Sequence, residues 1–378
     1  MTRFFFLLAA IAAIISAIDS PLVNASGTVY RLEDPSVMDI VLDSTGNFLY
    51  AAYTNENAIL EISTANMQEI RRFGLPHPHR IELSPDEQYL YSATDSDGDG
   101  GLARIRLSDG HIDSIAITGY IADFLIHPSG NTIWVTHRTW PEWGIGYVDY
   151  YPPDDDGILS TIQCNGPMSI SDFAIIDSIP NSIYYSESYG KLYIKHGLEE
   201  WDYDEPPGWG DPPDYISHLI TIYDADDLTL LGETKGGMDY FDYFRYSELT
   251  AWDQSGHFMM VPASCDPVPM YSFRVIDTSD DTVDFDYSLA AYNGIPAFLE
   301  YVHHIGDTDI LWANVTRGQL HENDERELMV RINRSTLEYD FFPIDEATDD
   351  LGDFAISPDG TTFYLTVTHT GEIIVWQP

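Results

Sequence analysis

A short β unit recurs along this sequence. Each copy has an apolar run, a turn of the type Ser/Asp-Pro/Ser-Asp/Gly, and a second run rich in Tyr, Trp, Val and Thr. Such units occur at residues 40–55, 81–95, 124–137, 173–188, 247–262, 298–313 and 350–376. β units that recur about every 40 to 50 residues are typical of propellers, where each unit forms one four-stranded blade that buries its faces against its neighbours. The sequence therefore predicts an all-β fold, a seven-bladed β-propeller.

The last copy supplies only three strands before the chain ends. The missing outer strand is present at the other terminus, because Gly27–Leu32 precedes the first unit as Glu69–Phe73 precedes the second. We therefore expect residues 27–32 to pair beside Ile373–Trp376 and to close the C-terminal blade. Such closure removes an open sheet edge.

The first 25 residues have the pattern of a secretory signal peptide. A short basic start at Met1-Thr2-Arg3 leads into the apolar run Phe4–Ile15, which is too short to span a bilayer, and small residues follow. An uncleaved anchor is the alternative. We expect a signal peptide at 1–25, a single domain at 26–378 with no transmembrane span, and a secreted or extracytoplasmic location, at the cell surface or in the periplasm.

The charge of the chain is strongly one-sided. It has 62 acidic and 17 basic residues and a net charge of −45. Nucleic acid is excluded as a partner by the lack of a basic patch. Self-repulsion of this size weakens a compact state unless counterions screen it. The composition indicates adaptation to high salt or to a cation-rich surface, with an ordinary acidic secreted protein as the alternative.

An acidic, glycine-rich segment lies in the second blade. Asp95, Asp97 and Asp99 alternate before Gly100, and hard oxygen ligands at this spacing suit Ca²⁺. The twelfth position is Arg106 where a helix-loop-helix site has Glu. The alternative to a calcium loop is a solvated acidic turn.

Aromatic residues gather in two connections. With strands a to d running outward from the axis, the b-to-c and d-to-a connections share one face, the top face. The third blade has an aromatic b-to-c loop. The fourth has a long insertion after Lys191–Lys195, which we expect to lie inside a hairpin. Their aromatic and acidic side chains suit sugar rings, cationic groups or a peptide, although they also suit simple packing of the insertion. The candidate binding residues are Trp140, Trp143, Trp201, Tyr203, Trp209 and Tyr215.

Four histidines are expected near the top face: His77, His79, His137 and His369. Imidazoles that converge at a propeller mouth bind transition metals or act as general bases, and these four are the candidate catalytic residues. The pattern alone does not bring them within bonding distance. No nucleophile elbow, zinc-protease or phosphate-loop motif is present.

Two cysteines and three glycosylation triplets complete the candidate sites. We place Cys164 in the d-to-a connection after the third blade and Cys265 in the b-to-c loop of the fifth, where they form either one disulfide or two separate thiols. The triplets begin at Asn24, Asn314 and Asn333.

The repeats resemble the YVTN-type units of seven-bladed propellers. The resemblance rests on Ser84–Glu87 with Tyr89–Thr94, Pro128–Gly130 with Ile133–Thr136, and Ser357–Gly360 with Tyr364–Thr368. It covers the whole mature chain and implies blades rather than a site. That superfamily includes archaeal and bacterial cell-surface proteins, lactonase-like hydrolases and heavy subunits of quinone-dependent amine dehydrogenases. No catalytic residue carries over, because no motif here matches one of theirs.

An exported acidic chain with aromatic top-face loops and no catalytic motif favours a non-catalytic binding or interaction protein. We expect a monomer whose partner is a protein, a glycan or a small cationic or sugar ligand. The alternative is a lactonase-like hydrolase with a site of histidines and carboxylates at the propeller mouth, so enzymatic activity stays open.

Overall fold

A computed structural model gives the architecture. It describes residues 26–31, 37–96, 99–138, 157–176, 180–196, 217–238, 249–253, 256–262, 273–289, 297–305, 308–317, 327–344, 351–367 and 370–378. These residues form 28 strands in seven four-stranded antiparallel sheets, with no helix among them. No described helix is therefore long and apolar enough to cross a membrane.

The strands are numbered along the chain. The first, β1 (Ser26–Arg31), belongs to the last blade. Blade 1 contains β2 (Val37–Leu42), β3 (Phe48–Tyr53), β4 (Ala58–Ser63) and β5 (Gln68–Gly74). Blade 2 contains β6 (Pro78–Leu83), β7 (Tyr89–Ser96), β8 (Asp99–Arg106) and β9 (Ile112–Ile117). Blade 3 contains β10 (Tyr120–Ile126), β11 (Thr132–Arg138), β12 (Gly157–Gln163) and β13 (Ser169–Ile176). Blade 4 contains β14 (Pro180–Ser186), β15 (Lys191–His196), β16 (Ser217–Asp224) and β17 (Leu230–Met238).

The remaining blades complete the ring. Blade 5 contains β18 (Thr250–Ala251), β19 (Phe258–Pro262), β20 (Phe273–Asp277) and β21 (Thr282–Tyr287). Blade 6 contains β22 (Ala297–His304), β23 (Ile310–Arg317), β24 (Glu327–Asn333) and β25 (Tyr339–Ile344). Blade 7 contains β26 (Leu351–Ile356), β27 (Phe363–Val367), β28 (Glu372–Gln377) and β1, in the order β1-β28-β27-β26.

The predicted closure is confirmed. In blade 7, β1 pairs antiparallel with β28, with Gly27 opposite Trp376 and Tyr30 opposite Ile373. The N-terminal strand is thus the outer strand of the C-terminal blade.

The hydrophobic core lies between neighbouring blades rather than in one central cluster. Between blades 6 and 7, for example, Trp312 packs against Phe363 with ring centroids 4.7 Å apart, and Phe363 packs against Trp376 at 5.1 Å. Because each blade is apolar on both faces, its strands have long buried runs, such as all five residues of β27. Each blade therefore depends on both neighbours.

One predicted hairpin is wrong. Residues 173–188 do not form the first two strands of blade 4, because 173–176 end β13, the outer strand of blade 3, and the inner strand of blade 4 begins at Pro180. The insertion that follows Lys191–His196 consequently joins strands b and c, which places its ends at the top face. An outer strand that leads directly into the next inner strand has the same apolar pattern as a hairpin.

The two cysteines lie in connections on opposite faces. Cys164 lies in the c-to-d turn of blade 3, on the bottom face, and not in the d-to-a connection expected from the sequence. It is a buried free cysteine. The connection that contains Cys265, from β19 to β20, is a top-face connection whose central residues lie outside the described part of the chain.

Candidate functional site

The two faces of the ring differ in the length of their connections. The a-to-b and c-to-d connections form the bottom face, and even the longest of them extend only from 252 to 257 and from 357 to 362. Side-chain caps hold these short turns. The Asp43 carboxylate, for example, accepts the backbone N–H groups of Asn47 and Phe48, both at 2.8 Å.

All the long connections belong to the top face, and they cluster in blades 3 to 6. They extend over residues 139–156, 197–216, 239–249, 263–272, 288–296 and 318–326. Top-face connections elsewhere are short, such as 54–57 in blade 1 and 97–98 in blade 2. Insertions in a repeat fold that accumulate on one face usually mark its binding face.

The two longest connections are acidic and aromatic. Residues 139–156 and 197–216 contain no lysine or arginine. The six predicted binding residues (Trp140, Trp143, Trp201, Tyr203, Trp209 and Tyr215) lie in them and outside the described residues. A third aromatic connection, 239–249, was not among the predicted binding residues. It carries Tyr240, Phe241, Tyr243, Phe244 and Tyr246. The high proportion of aromatic residues in 239–249 was the feature of the sequence that could have predicted it.

A polar ring lines the inner edges of the blades. In six blades the inner strand contains a register shift near its top end, which marks a β-bulge. The residues that follow this bulge in blades 1 to 4 are Asp39, Arg80, Asp123 and Ser182, and Asp353 lies within the bulge of blade 7. We call these five residues the axial ring. Its three carboxylates are between 4% and 5% exposed.

Residues of the axial ring connect each inner strand to the next. Asp39 Oδ2 accepts the backbone N–H of Ile81 in blade 2 at 2.7 Å. Asp123 Oδ2 accepts that of Ile183 in blade 4 at 3.0 Å. The Ser182 hydroxyl accepts that of Leu249, before blade 5, at 3.0 Å.

Charge links the first three blades as well. Arg80 lies between two carboxylates, with Nε 3.3 Å from Asp123 Oδ1 and Nη1 3.9 Å from Asp39 Oδ2. A guanidinium placed between two acids offsets part of the cost of burying them.

Blades 5, 6 and 7 complete the circle. His304 Nε2 bonds the carbonyl of Ala251 in blade 5, and His303 Nε2 lies 3.1 Å from Asp353 Oδ1 in blade 7. Asn314 Nδ2 donates to the Gly352 carbonyl at 3.2 Å. Asn314 is 2% exposed, so this triplet is not open to glycosylation in the folded chain.

Blade 7 meets blade 1 through a pair of acids. The side chains of Asp353 and Asp39 are hydrogen-bonded to each other. Burial raises the pKa of Asp39 well above its ordinary value, Asp353 raises it further, and Arg80 opposes both. A raised pKa is the condition under which one acid of such a pair keeps its proton and donates to the other.

His137 is held within the fold by both ring nitrogens. Nδ1 lies 2.9 Å from the Thr118 carbonyl and Nε2 lies 2.8 Å from the Ser160 hydroxyl. The carbonyl accepts only, so Nδ1 carries the proton and Nε2 accepts from Ser160. The side chain is buried, and burial lowers its pKa.

His79 contacts β10, the strand that begins two residues after Thr118. Its ring stacks on Tyr120, with centroids 5.0 Å apart, and its Nε2 lies 3.1 Å from the Ile121 carbonyl. Burial lowers the pKa of His79 too. His77 is exposed, with its backbone N–H bonded to Asn57 Oδ1, and His369 lies outside the described residues. The contacts of His79 and His137 account for structural roles, and catalysis by these four histidines stays a prediction.

The acidic segment of blade 2 is a tight hairpin rather than an open loop. Asp95 pairs with Gly100 and Ser96 pairs with Asp99, with only residues 97–98 between the strands. Gly100 lies against the next connection, where its N–H donates to the Gly119 carbonyl at 2.8 Å. Asp97 lies outside the described residues, so calcium binding by Asp95, Asp97 and Asp99 stays a prediction. Among the residues that the structure describes, no group of three or more His, Cys, Asp or Glu side chains is arranged to hold a metal.

The axial ring also escaped the sequence analysis. Its signal was an aspartate near the start of an apolar inner strand, at Asp39, Asp123 and Asp353. Buried polar residues in a repeated position indicate a shared bond.

Fold and ring together define a seven-bladed β-propeller. No protein-family model matches the sequence, and no curated protein matches it significantly. The YVTN-type units therefore remain a resemblance.

Solved structures match this chain over nearly its full length. The β-propeller domain of Cps50 (Swd1) from Myceliophteria thermophila superposes with a TM-score of 0.63 at 12% identity, covering 94% of this chain and 99% of that one. Hydrazine synthase from Kuenenia stuttgartiensis superposes with a TM-score of 0.62 at 12% identity, covering 92% and 97%. At identities this low, the similarity to these two structures shows a shared fold and nothing further.

Proposed function

We propose that this protein is an exported, non-catalytic β-propeller that binds a partner with cationic groups through the top-face connections of blades 3 and 4. The observation that carries the proposal is the contrast between the faces, with short capped turns on one and every long connection on the other. Propellers commonly serve protein interaction, and their ring of strands is a scaffold from which connections extend.

The chemistry of the top face supports a cationic partner. Residues 139–156 and 197–216 combine Trp and Tyr with carboxylates and lack basic residues. Aromatic faces attract cations through the ring quadrupole, and carboxylates add charge attraction. The apolar N-terminal segment at residues 4–15 supports export.

A peptide titration tests the proposal. An arginine-rich peptide and a glutamate-rich peptide of equal length are titrated by tryptophan fluorescence in low salt. We expect saturable binding of the arginine-rich peptide, weakened roughly tenfold or more by Trp140→Ala with Trp143→Ala, since buried aromatic anchors dominate such interfaces.

The control is Phe48→Ala, which removes an aromatic side chain at the bottom end of β3. If the paired tryptophan change weakened binding no more than the Phe48 change, the net charge alone would attract the peptide and the top-face proposal would fail. Turnover of lactone or ester substrates, with or without divalent metal, would support the hydrolase instead.

A further inference from the structure

The outer strand of blade 3 exposes an unusual amount of apolar surface. Ile170, Phe173 and Ile175 on β13 are 46%, 63% and 59% exposed. Within the described part of the chain, no strand pairs with the outer edge of β13. An unpaired edge of this length, with exposed apolar side chains, is a template for pairing with another chain.

The three side chains lie on one side of the blade. Phe173 pairs with Ser160 and Ile175 with Ile158, and cross-strand partners point to the same side. A register shift between Thr161 and Ile162 keeps Ile170, opposite Ile162, on that side too. They therefore form a continuous apolar stripe rather than isolated exposed residues.

Some other outer strands carry more charge than β13. Exposed residues of β5 include Glu69 and Arg72, and β21 contains Asp284 and Asp286. In its eight residues β13 has one charge, Asp172. In a chain with a net charge of −45, Asp172 is the one charged side chain of this strand that opposes edge pairing.

We propose that β13 is the contact strand of a symmetric dimer, in which it pairs antiparallel with β13 of a second copy of this chain. A two-fold axis through the strand pair joins the two blades into one continuous sheet and sets both stripes side by side on the same face of it. The outward N–H and C=O groups of both edges then bond each other, and the N–H of Phe173 does so in place of its bond to Asp172 Oδ1 at 2.9 Å.

Charge favours a second copy over another occupant. A cationic partner gains from the acidic surfaces elsewhere on the molecule and nothing from a nearly uncharged strand. A copy of β13 offers an equally uncharged and apolar edge. We expected a monomer from the sequence, and the exposed stripe is the reason to depart from that expectation.

The dimer depends on salt. One strand pair covers less than the roughly 800 Å² per partner of a standard interface, so the contact is weak. Two copies that each carry a charge of −45 repel one another at low ionic strength. At about 1 M salt the Debye length falls to about 3 Å, so the repulsion is screened while burial of the stripe remains favourable.

Sedimentation velocity measures the association at low and at molar NaCl over a range of protein concentrations. We expect a monomer at low salt and a concentration-dependent dimer at molar NaCl. Phe173→Asp is expected to weaken the dimer tenfold or more, because a two-fold interface contains the substitution twice.

The matched control is Ile70→Asp, which places the same charge on another exposed apolar position of an outer strand, 52% exposed on β5. Unchanged dimerisation of this variant, with loss of the dimer in Phe173→Asp, supports the proposal. A monomer at molar salt overturns it, as does a dimer that Phe173→Asp leaves intact while circular dichroism shows both variants folded.

Discussion

Asp39 illustrates how the axial ring makes stability depend on pH. Its pKa is raised by burial and by Asp353, so the folded state keeps a proton that the unfolded chain releases. This contribution to stability is complete below the ordinary carboxyl pKa of about 3.9 and is lost as pH rises through the raised pKa of the folded state. Asparagine keeps the shape and an acceptor for the Ile81 N–H but never ionises.

We therefore predict that Asp39→Asn gains stability relative to the natural protein as pH rises. The difference in unfolding free energy should grow by up to about 1.4 kcal/mol per pH unit within the window between those two pKa values. Urea unfolding from pH 4 to pH 8 measures it. Asp226→Asn removes an exposed carboxylate as the control. If the unfolding free energies of Asp39→Asn and the natural protein ran parallel with pH, the pKa of Asp39 would not be raised in the folded state.

Residue types were predictable from the sequence, but their bonds were not. The top-face position of His79 and His137 followed from the repeat register. Their partners are the carbonyls of Thr118, just before β10, and of Ile121, near its start, and no periodicity of the sequence encodes these contacts. Position on a face therefore could not distinguish a structural imidazole from a catalytic one.

At the scale of the elements, the few basic residues join neighbouring blades at the bottom face. Arg71 donates to the Leu107 carbonyl and Arg104 to the Cys164 carbonyl, both at 2.7 Å and each in the next blade. Lys191 of blade 4 donates to the Thr278 carbonyl of blade 5 at 3.0 Å. Hydrogen bonds from charged donors contribute about 1.5–3 kcal/mol each. These contacts oppose the separation of blades that the net charge favours.

The contact between β8 and the next connection leads to a second prediction. A Cβ at Gly100 would lie 2.1 Å from the Gly119 carbonyl oxygen, a backbone atom that cannot turn aside. Gly100→Ala should therefore lower the unfolding free energy by roughly 1–3 kcal/mol. Gly74→Ala is the control, because a Cβ there meets nothing within 4 Å. Equal unfolding midpoints for the two variants would contradict the close approach.

The strands were predictable wherever a turn separates them. Ser84-Pro85-Asp86 and Ser357-Pro358-Asp359 mark a-to-b turns, and the structure has strands on both sides of each. The prediction failed at 173–188, where an outer strand leads directly into the next inner strand and both are apolar. Blade membership there depends on pairing with β12 and β15, which is long-range information.

The whole molecule is a closed ring with no covalent closure between its ends. Blade 7 is complete only when β1 pairs with β28. The axial ring, together with His303 and His304, links neighbouring blades at their inner edges. Blades 7 and 1 are joined there by the pair Asp353 and Asp39. The ring therefore stays closed only if the free energy gained from these contacts exceeds the free energy cost of repulsion among its acidic side chains.

Salt screens the repulsion between the acidic side chains, so it changes the balance between this repulsion and the contacts that join the blades. The net charge of −45 is a long-range repulsion, and raising NaCl from about 0.1 M to about 2 M reduces the Debye length from about 10 Å to below 3 Å. The same salt weakens the hydrogen bonds that Arg104 and Lys191 donate to the next blade much less, because buried charges are poorly screened. Stability should therefore rise with salt, by about 5–10 °C in melting temperature, which corresponds to a few kcal/mol for a chain of this length. Sucrose, which stabilises by exclusion without ionic strength, is the control at matched osmolality. A melting temperature that is flat in NaCl, or that rises equally in sucrose, would show that self-repulsion does not limit this fold.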